Sequence, residues 1–305
     1  MANRMLPTEL LGLIKAAQRQ SLNRPWRLAS GYLQSSAPMS RPFSTTLHLQ
    51  QTSETSFSSS VSANEVSHFS KLAASWWDPH GPSRLLHLMN PLRHDFIQIC
   101  LQSNASNLKQ NLTYLDIGCG GGIFATSVAR LPSTTTVTAI DPTPEVIAVA
   151  KAKQRTDPEL SPPKLTYRQC SIEELSSTDF QPVDILTVFE VLEHVSSPSQ
   201  FLSMCIPLVK PGGWIIGSTI ARSPLSFITT KLIAEAPIIG VVPKGTHDWN
   251  KYINPEELRE WCAGQPSLGH VLTQGVIYVP ALGWKFVNGS ESCGNYFVGV
   301  QKLDE

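Results

Sequence analysis

The chain has no cysteine pair at C-x-x-C spacing; its six cysteines stand apart at Cys100, Cys119, Cys170, Cys205, Cys262 and Cys293. That pattern argues against a zinc site and a disulfide framework, and fits a reducing compartment. No apolar run reaches ~18 uninterrupted residues, so no membrane-spanning helix is predicted. Acids are scarce at the start: residues 1–60 carry only Glu9 and Glu54 against six basic side chains, leaving 18 basic and 22 acidic residues for the remainder. A slightly acidic remainder offers no electrostatic case for nucleic acid. The first 60 residues are Arg- and Ser-rich and acid-poor, the composition of a mitochondrial transit peptide, the alternative being a disordered tail. Leu10–Ile14 with Lys15 and Arg19 suits a short basic amphipathic helix, and Arg41-Pro-Phe43-Ser44 resembles a matrix-protease site, predicting removal near Phe43. Residues 1–60 are therefore assigned as transit peptide and linker, and residues 61–305 as one domain. With 41 % apolar residues the chain has ample material for a core.

Within that domain, Asp116-Ile-Gly-Cys-Gly-Gly-Gly122 follows an apolar run and precedes a helix-like stretch. A glycine-rich strand-to-helix turn lets backbone approach a ligand closely. Asp141 ends the next apolar run, at the spacing where an acid meets a nucleotide ribose in doubly wound folds. No Gly-Lys-Ser/Thr ending is present, so a P-loop is excluded, and Ile123 stands where G-x-G-x-x-G needs glycine. The carboxylate of Asp116 would repel a pyrophosphate but suits a cationic ligand, such as the ammonium and sulfonium of S-adenosylmethionine. The bland alternative is an ordinary glycine-rich βα turn.

Hydrophobic periodicity predicts a helix over 64–77 and a second helix following Pro91. An α/β alternation comes next: strand 112–117, helix 122–131, strand 135–140, helix 144–154, strands 165–170 and 183–189, helix 198–209 and strand 213–219. Pro211-Gly-Gly213 reads as the breaker before that last strand. Segments 270–280 and 294–301 are expected to form an antiparallel edge. The predicted fold class is α/β: a Rossmann-like class I S-adenosylmethionine-dependent methyltransferase, with a mostly parallel sheet, an antiparallel edge and N-terminal cover helices. Its ligand belongs outside the carboxyl ends of the strands.

Glu190, Glu193 and His194 directly follow the fourth strand run. If a helical turn begins there, the two glutamates share a face. An oxygen-rich set favours Mg²⁺, while an imidazole leaves room for Zn²⁺ or Mn²⁺. The competing reading is a helix start that attracts acids, with a hydrogen-bonded histidine.

Trp76-Trp77-Asp78-Pro79, Leu86-His-Leu-Met-Asn-Pro-Leu-Arg93, the turn at Asp116–Gly122, Glu190-Val-Leu-Glu193-His194 and Val242-Pro-Lys-Gly-Thr-His-Asp248 occur in that order. Together they resemble the ubiquinone-biosynthesis O-methyltransferases over roughly residues 64–302. The resemblance implies O-methylation of catechols with a polyprenyl tail (a 3,4-dihydroxy-5-polyprenylbenzoate and a demethylubiquinol), using S-adenosylmethionine. By position it implies cofactor contacts at Arg93, Gly118, Asp141 and Phe189, and a divalent cation, Mg²⁺ or another, at Glu190, Glu193 and His194. Other members place different residues at Phe189, which a backbone contact tolerates. It further implies a multi-enzyme assembly with other ubiquinone-biosynthesis proteins, and a peripheral place on the matrix side of the mitochondrial inner membrane.

A phenol with a pKa near ~10 is mostly un-ionised at neutral pH, so a base or a cation must help. His247, beside Asp248, is the candidate base; the alternative is a structural loop histidine. Residues 226–243 form the most apolar insertion, suited to cover the tail, to meet a bilayer surface or to be a buried lid helix. The rival functions are a metal-independent methyltransferase with another acceptor, and a cofactor-binding scaffold within a quinone-synthesis assembly.

Overall fold

The structure is a computed structural model that describes residues 60–103, 110–228 and 248–304. Two helices come first, α1 (Ala63–Leu72) and α2 (Arg84–Ser103), joined through the tryptophan pair Trp76-Trp77. The alternation then runs β1 (Leu112–Ile117), α3 (Ile123–Ala129), β2 (Thr134–Asp141), α4 (Pro144–Gln154), β3 (Leu165–Gln169), α5 (Ile172–Ser176), β4 (Val183–Phe189), α6 (Pro198–Cys205) and β5 (Val209–Ile220). A short α7 (Pro224–Phe227) and α8 (Pro255–Ala263) precede three antiparallel strands, β6 (Leu268–Val279), β7 (Gly283–Phe286) and β8 (Asn295–Lys302).

The sheet order is β3-β2-β1-β4-β5-β8-β6-β7. The first five strands are parallel, and β8 and β6 extend them antiparallel. β4 shows why the parallel strands read as unbroken apolar runs: all seven of its residues are buried, because helices cover both faces. Apolar residues of the two faces form separate clusters, one including Phe96, Phe124, Ile185 and Phe297, the other Leu115, Leu186, Phe201 and Val300. The order reverses between β1 and β4, which leaves a crevice at their carboxyl ends. The glycine turn and the Glu190–His194 segment border that crevice.

Several boundaries differ from the sequence reading, each for a local reason. The second helix starts seven residues before Pro91, which lies inside it. Its buried stripe of Met89, Arg93, Phe96, Ile97 and Cys100 has helical spacing, and that burial outweighs the hydrogen bond a proline cannot donate. Pro211-Gly-Gly213 does not separate helix from strand but lies within β5, where the pairing with β4 shifts register between Val183 and Ile185. No helix begins at Glu190; that residue has φ 57°, in the left-handed region, and the chain turns through Val191 to His194, with His194 N donating to Val191 O at 2.9 Å. Short α5, held by a Ser171–Glu174 capping box, and β7 were not foreseen.

Candidate active site

A cavity of about 700 Å³ opens at the switch point. Its lining includes Arg93, Gly118, Asp141, Phe189, Glu190, Glu193 and His194, so seven of the eight residues singled out from sequence come together. His247, the eighth, lies outside the described residues, as does most of the apolar insertion.

The glycine turn is built by β1 ending beside β2. Gly118 N and Cys119 N both donate to Ile140 O, at 2.9 and 3.0 Å, which bends the chain across the end of β2. Gly118 has φ 70°, and a side chain there would also collide with Val191. Asp141 locks the turn: Gly120 N donates to its Oδ2 at 3.0 Å and Thr143 N to its Oδ1 at 2.9 Å. Burial pushes the Asp141 carboxyl above its usual range, against those two hydrogen bonds.

The Trp-Trp pair closes the turn from outside. The Trp76 ring packs on Gly120 and Gly121, where a Cβ would strike the indole, and Trp77 Nε1 donates to Gly121 O at 2.9 Å. His87 of α2 meets Trp76 O at 2.9 Å, tying the pair to that helix. The two indoles therefore explain why the turn needs small residues on its outer side.

Two ionisable groups lie beneath. Asp116, at the end of β1, accepts from Thr187 Oγ1 at 2.7 Å and is pushed up to about 7 by burial, with the Asp141 charge also raising it and Thr187 and Arg93 opposing. Arg93 is buried, its guanidinium 4.9 Å from the centre of the Phe189 ring. Burial lowers its pKa while Glu190 and Asp116 hold it up, and its Nε lacks a hydrogen-bond partner among the described residues. A buried donor without a partner beside a cavity is a natural seat for an anionic group. Buried carboxylates at Asp116 and Asp141 suit a cation. This mixture fits a zwitterionic sulfonium with a nucleoside.

Just past β4, Glu190 Oε1 accepts from Ser218 Oγ at 2.6 Å and Glu193 Oε2 from Thr219 Oγ1 at 2.8 Å. Burial and the nearby Glu190 charge push the Glu193 carboxyl above its usual range. His194 is paired through Nδ1 with Glu65 Oε2 of α1 at 3.0 Å. Burial alone would lower its pKa, but that hydrogen bond and the charges of Glu193, Glu65 and Glu190 outweigh it and raise it. Among the described residues, no three acid, histidine or cysteine side chains are gathered as they stand to hold a metal ion. By donor chemistry, Glu190, Glu193 and His194 would suit a divalent cation, which would offset the buried Glu193 carboxylate and its half-buried neighbour Glu190. Glu65 escaped the sequence reading; its place four residues before Phe69 on the inward face of the predicted helix was the available signal.

Much of the remaining lining is apolar. Leu86, Met89 and Arg93 of α2 all line the cavity, and the helix rises ~10 Å between Leu86 and Arg93. Val276, Ile277, Tyr278 and Trp284 of the β6–β7 hairpin line the cavity too, with Trp284 Nε1 donating to Leu85 O at 3.0 Å.

Comparison with known proteins agrees with this geometry. A family model described as a methyltransferase domain matches residues 115–217. The mitochondrial ubiquinone biosynthesis O-methyltransferase of Candida albicans is 37 % identical over 287 residues, covering 80 % of this chain and 86 % of that protein. Its counterpart from Schizosaccharomyces pombe is 41 % identical over 251 residues, covering 80 % and 87 %. The chain belongs to the ubiquinone biosynthesis O-methyltransferase family. Among solved structures, the plantazolicin methyltransferase BpumL in complex with SAH aligns with a TM-score of 0.54 at 15 % identity, over 79 % of this chain and 97 % of that one. The α/β fold expected from sequence is thus that of the methyltransferases. For this family member, the glycine turn, Asp141 and the β4 end share the expected crevice.

Proposed function

We propose that this protein is an S-adenosylmethionine-dependent O-methyltransferase acting on catechols with a polyprenyl tail, at both the dihydroxybenzoate and demethylubiquinol stages. One observation carries the reading: a single cavity joins a buried, charged end to a long apolar wall. A short hydrophilic acceptor would leave that wall exposed to water, at about 25 cal/mol per Å².

In this reading Arg93 takes the methionine carboxylate, Gly118 admits the backbone approach, Asp141 meets the ribose hydroxyls and Phe189 packs beside the donor. Asp116 faces the positive part of the donor. The acceptor oxygen bonds to the methyl carbon as the carbon–sulfur bond breaks and the hydroxyl proton leaves. The sulfonium is already electrophilic, so the protein forms no covalent intermediate and its task is alignment. Glu190, Glu193 and His194 would hold a divalent cation, Mg²⁺ or another, and that ion would make the catechol easier to ionise. His247 is the candidate for receiving the proton.

Residues 1–60 would direct the protein to mitochondria, as the names of the fungal relatives suggest for them. Among the described residues no helix is long and apolar enough to cross a membrane. Leu225, Phe227 and Ile228, around the start of the apolar insertion, are exposed, which supports peripheral contact with the matrix face of the inner membrane, where other ubiquinone-biosynthesis proteins would be its partners.

The test is transfer from labelled S-adenosylmethionine to prenylated and tail-free forms of both catechols, with and without chelator. Prenylated acceptors should be preferred, and chelator should abolish a transfer that Mg²⁺ restores. Transfer to neither catechol would remove the reading. Chelator-resistant transfer would favour the metal-independent alternative. Glu190→Ala and Asp141→Ala proteins that still sustain quinone synthesis would favour a scaffold.

A further inference from the structure

The cover helix α1 does more than close the cavity. Glu65 and Phe69 lie four residues apart, on one helix face, and both grip the His194 ring. Glu65 Oε2 is 3.0 Å from Nδ1, and the Phe69 ring stands edge-on to the imidazole, with centroids 5.2 Å apart at 78°. The other Glu65 oxygen is 3.6 Å from Lys251 Nζ, which restrains the carboxylate from turning away. An ionised carboxylate only accepts hydrogen bonds, so Nδ1 must carry the hydrogen. In a neutral ring that leaves the lone pair on Nε2.

We propose that Glu65 is the positioning residue of this site: it fixes His194 as the Nδ1–H tautomer, so that Nε2 is the nitrogen offered to a bound cation or acceptor. The arrangement is a carboxylate–histidine pair whose two halves come from segments 129 residues apart. Such a partner sets ring orientation and basicity without touching substrate. Docking of α1 and competence of His194 are then one event. Only the activity and metal arms of the test rest on the proposed function; the tautomer does not.

The test uses the full chain labelled with ¹⁵N-histidine, at a pH where His194 is neutral. The wild-type ring should show Nδ1 protonated and Nε2 bare. Glu65→Ala should shift the ring toward the Nε2–H form, weaken Mn²⁺ binding by roughly 10- to 100-fold and lower kcat by a similar factor. KM for S-adenosylmethionine should stay within about twofold. Glu65→Gln, whose amide oxygen still accepts, should retain the wild-type tautomer and recover most of kcat. An unchanged tautomer in Glu65→Ala would overturn the proposal. So would parallel losses of thermal stability, donor KM and kcat in both variants, which would mark Glu65 as merely structural. If the wild type neither binds Mn²⁺ nor methylates a catechol, the proposed function fails, while the ¹⁵N spectra still decide the role of Glu65.

Discussion

At Asp116, burial opposes charge, and the outcome is measurable. Its carboxyl is pushed up to about 7 in the fold, above the ordinary value of 3.8, because desolvation outweighs Thr187 and Arg93. The folded state therefore holds a proton that the unfolded chain has released. This contribution to stability is full below about pH 4 and is lost as pH rises toward 7. In the ligand-free protein, the melting temperature of wild type relative to Asp116→Asn should decline between pH 4 and 7 by roughly 5–10 °C, then level off. Scanning calorimetry at several pH values checks this, and a flat difference would contradict it. Burial also raises Asp141, but its two oxygens hold the amides of Gly120 and Thr143. Asp141→Ala leaves both buried donors unpaired, for a loss of about 2–4 kcal/mol in urea unfolding and at least about tenfold in donor affinity by titration calorimetry. Affinity lost at unchanged stability would show that Asp141 serves the ligand and not the turn.

The elements around the turn act as a clamp: α1 and the Trp pair outside, β1 and β2 beneath. Trp76 is buried against Gly120 and Gly121. Trp76→Ala should cost about 3–5 kcal/mol in chemical denaturation, and donor affinity should fall with it because the turn loses its outer support. A destabilised variant with undiminished affinity would separate the two roles. Much of the frame was readable in advance, because β1, β2 and β4 are short apolar runs that end at the glycine turn or at acids. The start of α2 was hidden because Pro91 imitates a first-turn proline, while the helical stripe from Met89 to Cys100 spans it. Glu190 and Glu193 do not share a helix face as expected: a left-handed residue and a turn set their places, and neither leaves a periodicity to read. The Glu65–His194 contact joins residues 129 apart, and no local pattern encodes such a distance.

For the whole molecule, Ser60 marks where the described fold begins. Its N–H donates to Glu173 Oε1 at 2.7 Å, and its carbonyl accepts from Ser196 N at 3.3 Å. A chain beginning at Thr55 should match the full chain in melting temperature and in methyl transfer, within about twofold. One beginning at Glu65 loses both Ser60 contacts and the start of α1, and should melt lower by roughly 5 °C with a disproportionate fall in kcat. Differential scanning fluorimetry and a radiolabel assay on the two chains decide it. The last strand sets a different constraint. β8, Asn295–Lys302, is no edge; it lies between β5 and β6 and bonds to both. A chain emerging N-terminus first from a ribosome must wait for residues 295–302 before those strands can pair. Until then β5 has an open, hydrophobic edge of the kind that recruits foreign strands. Synthesis in that order leaves the fold most exposed to aggregation until β8 has emerged, and termination before Asn295 would make that state permanent.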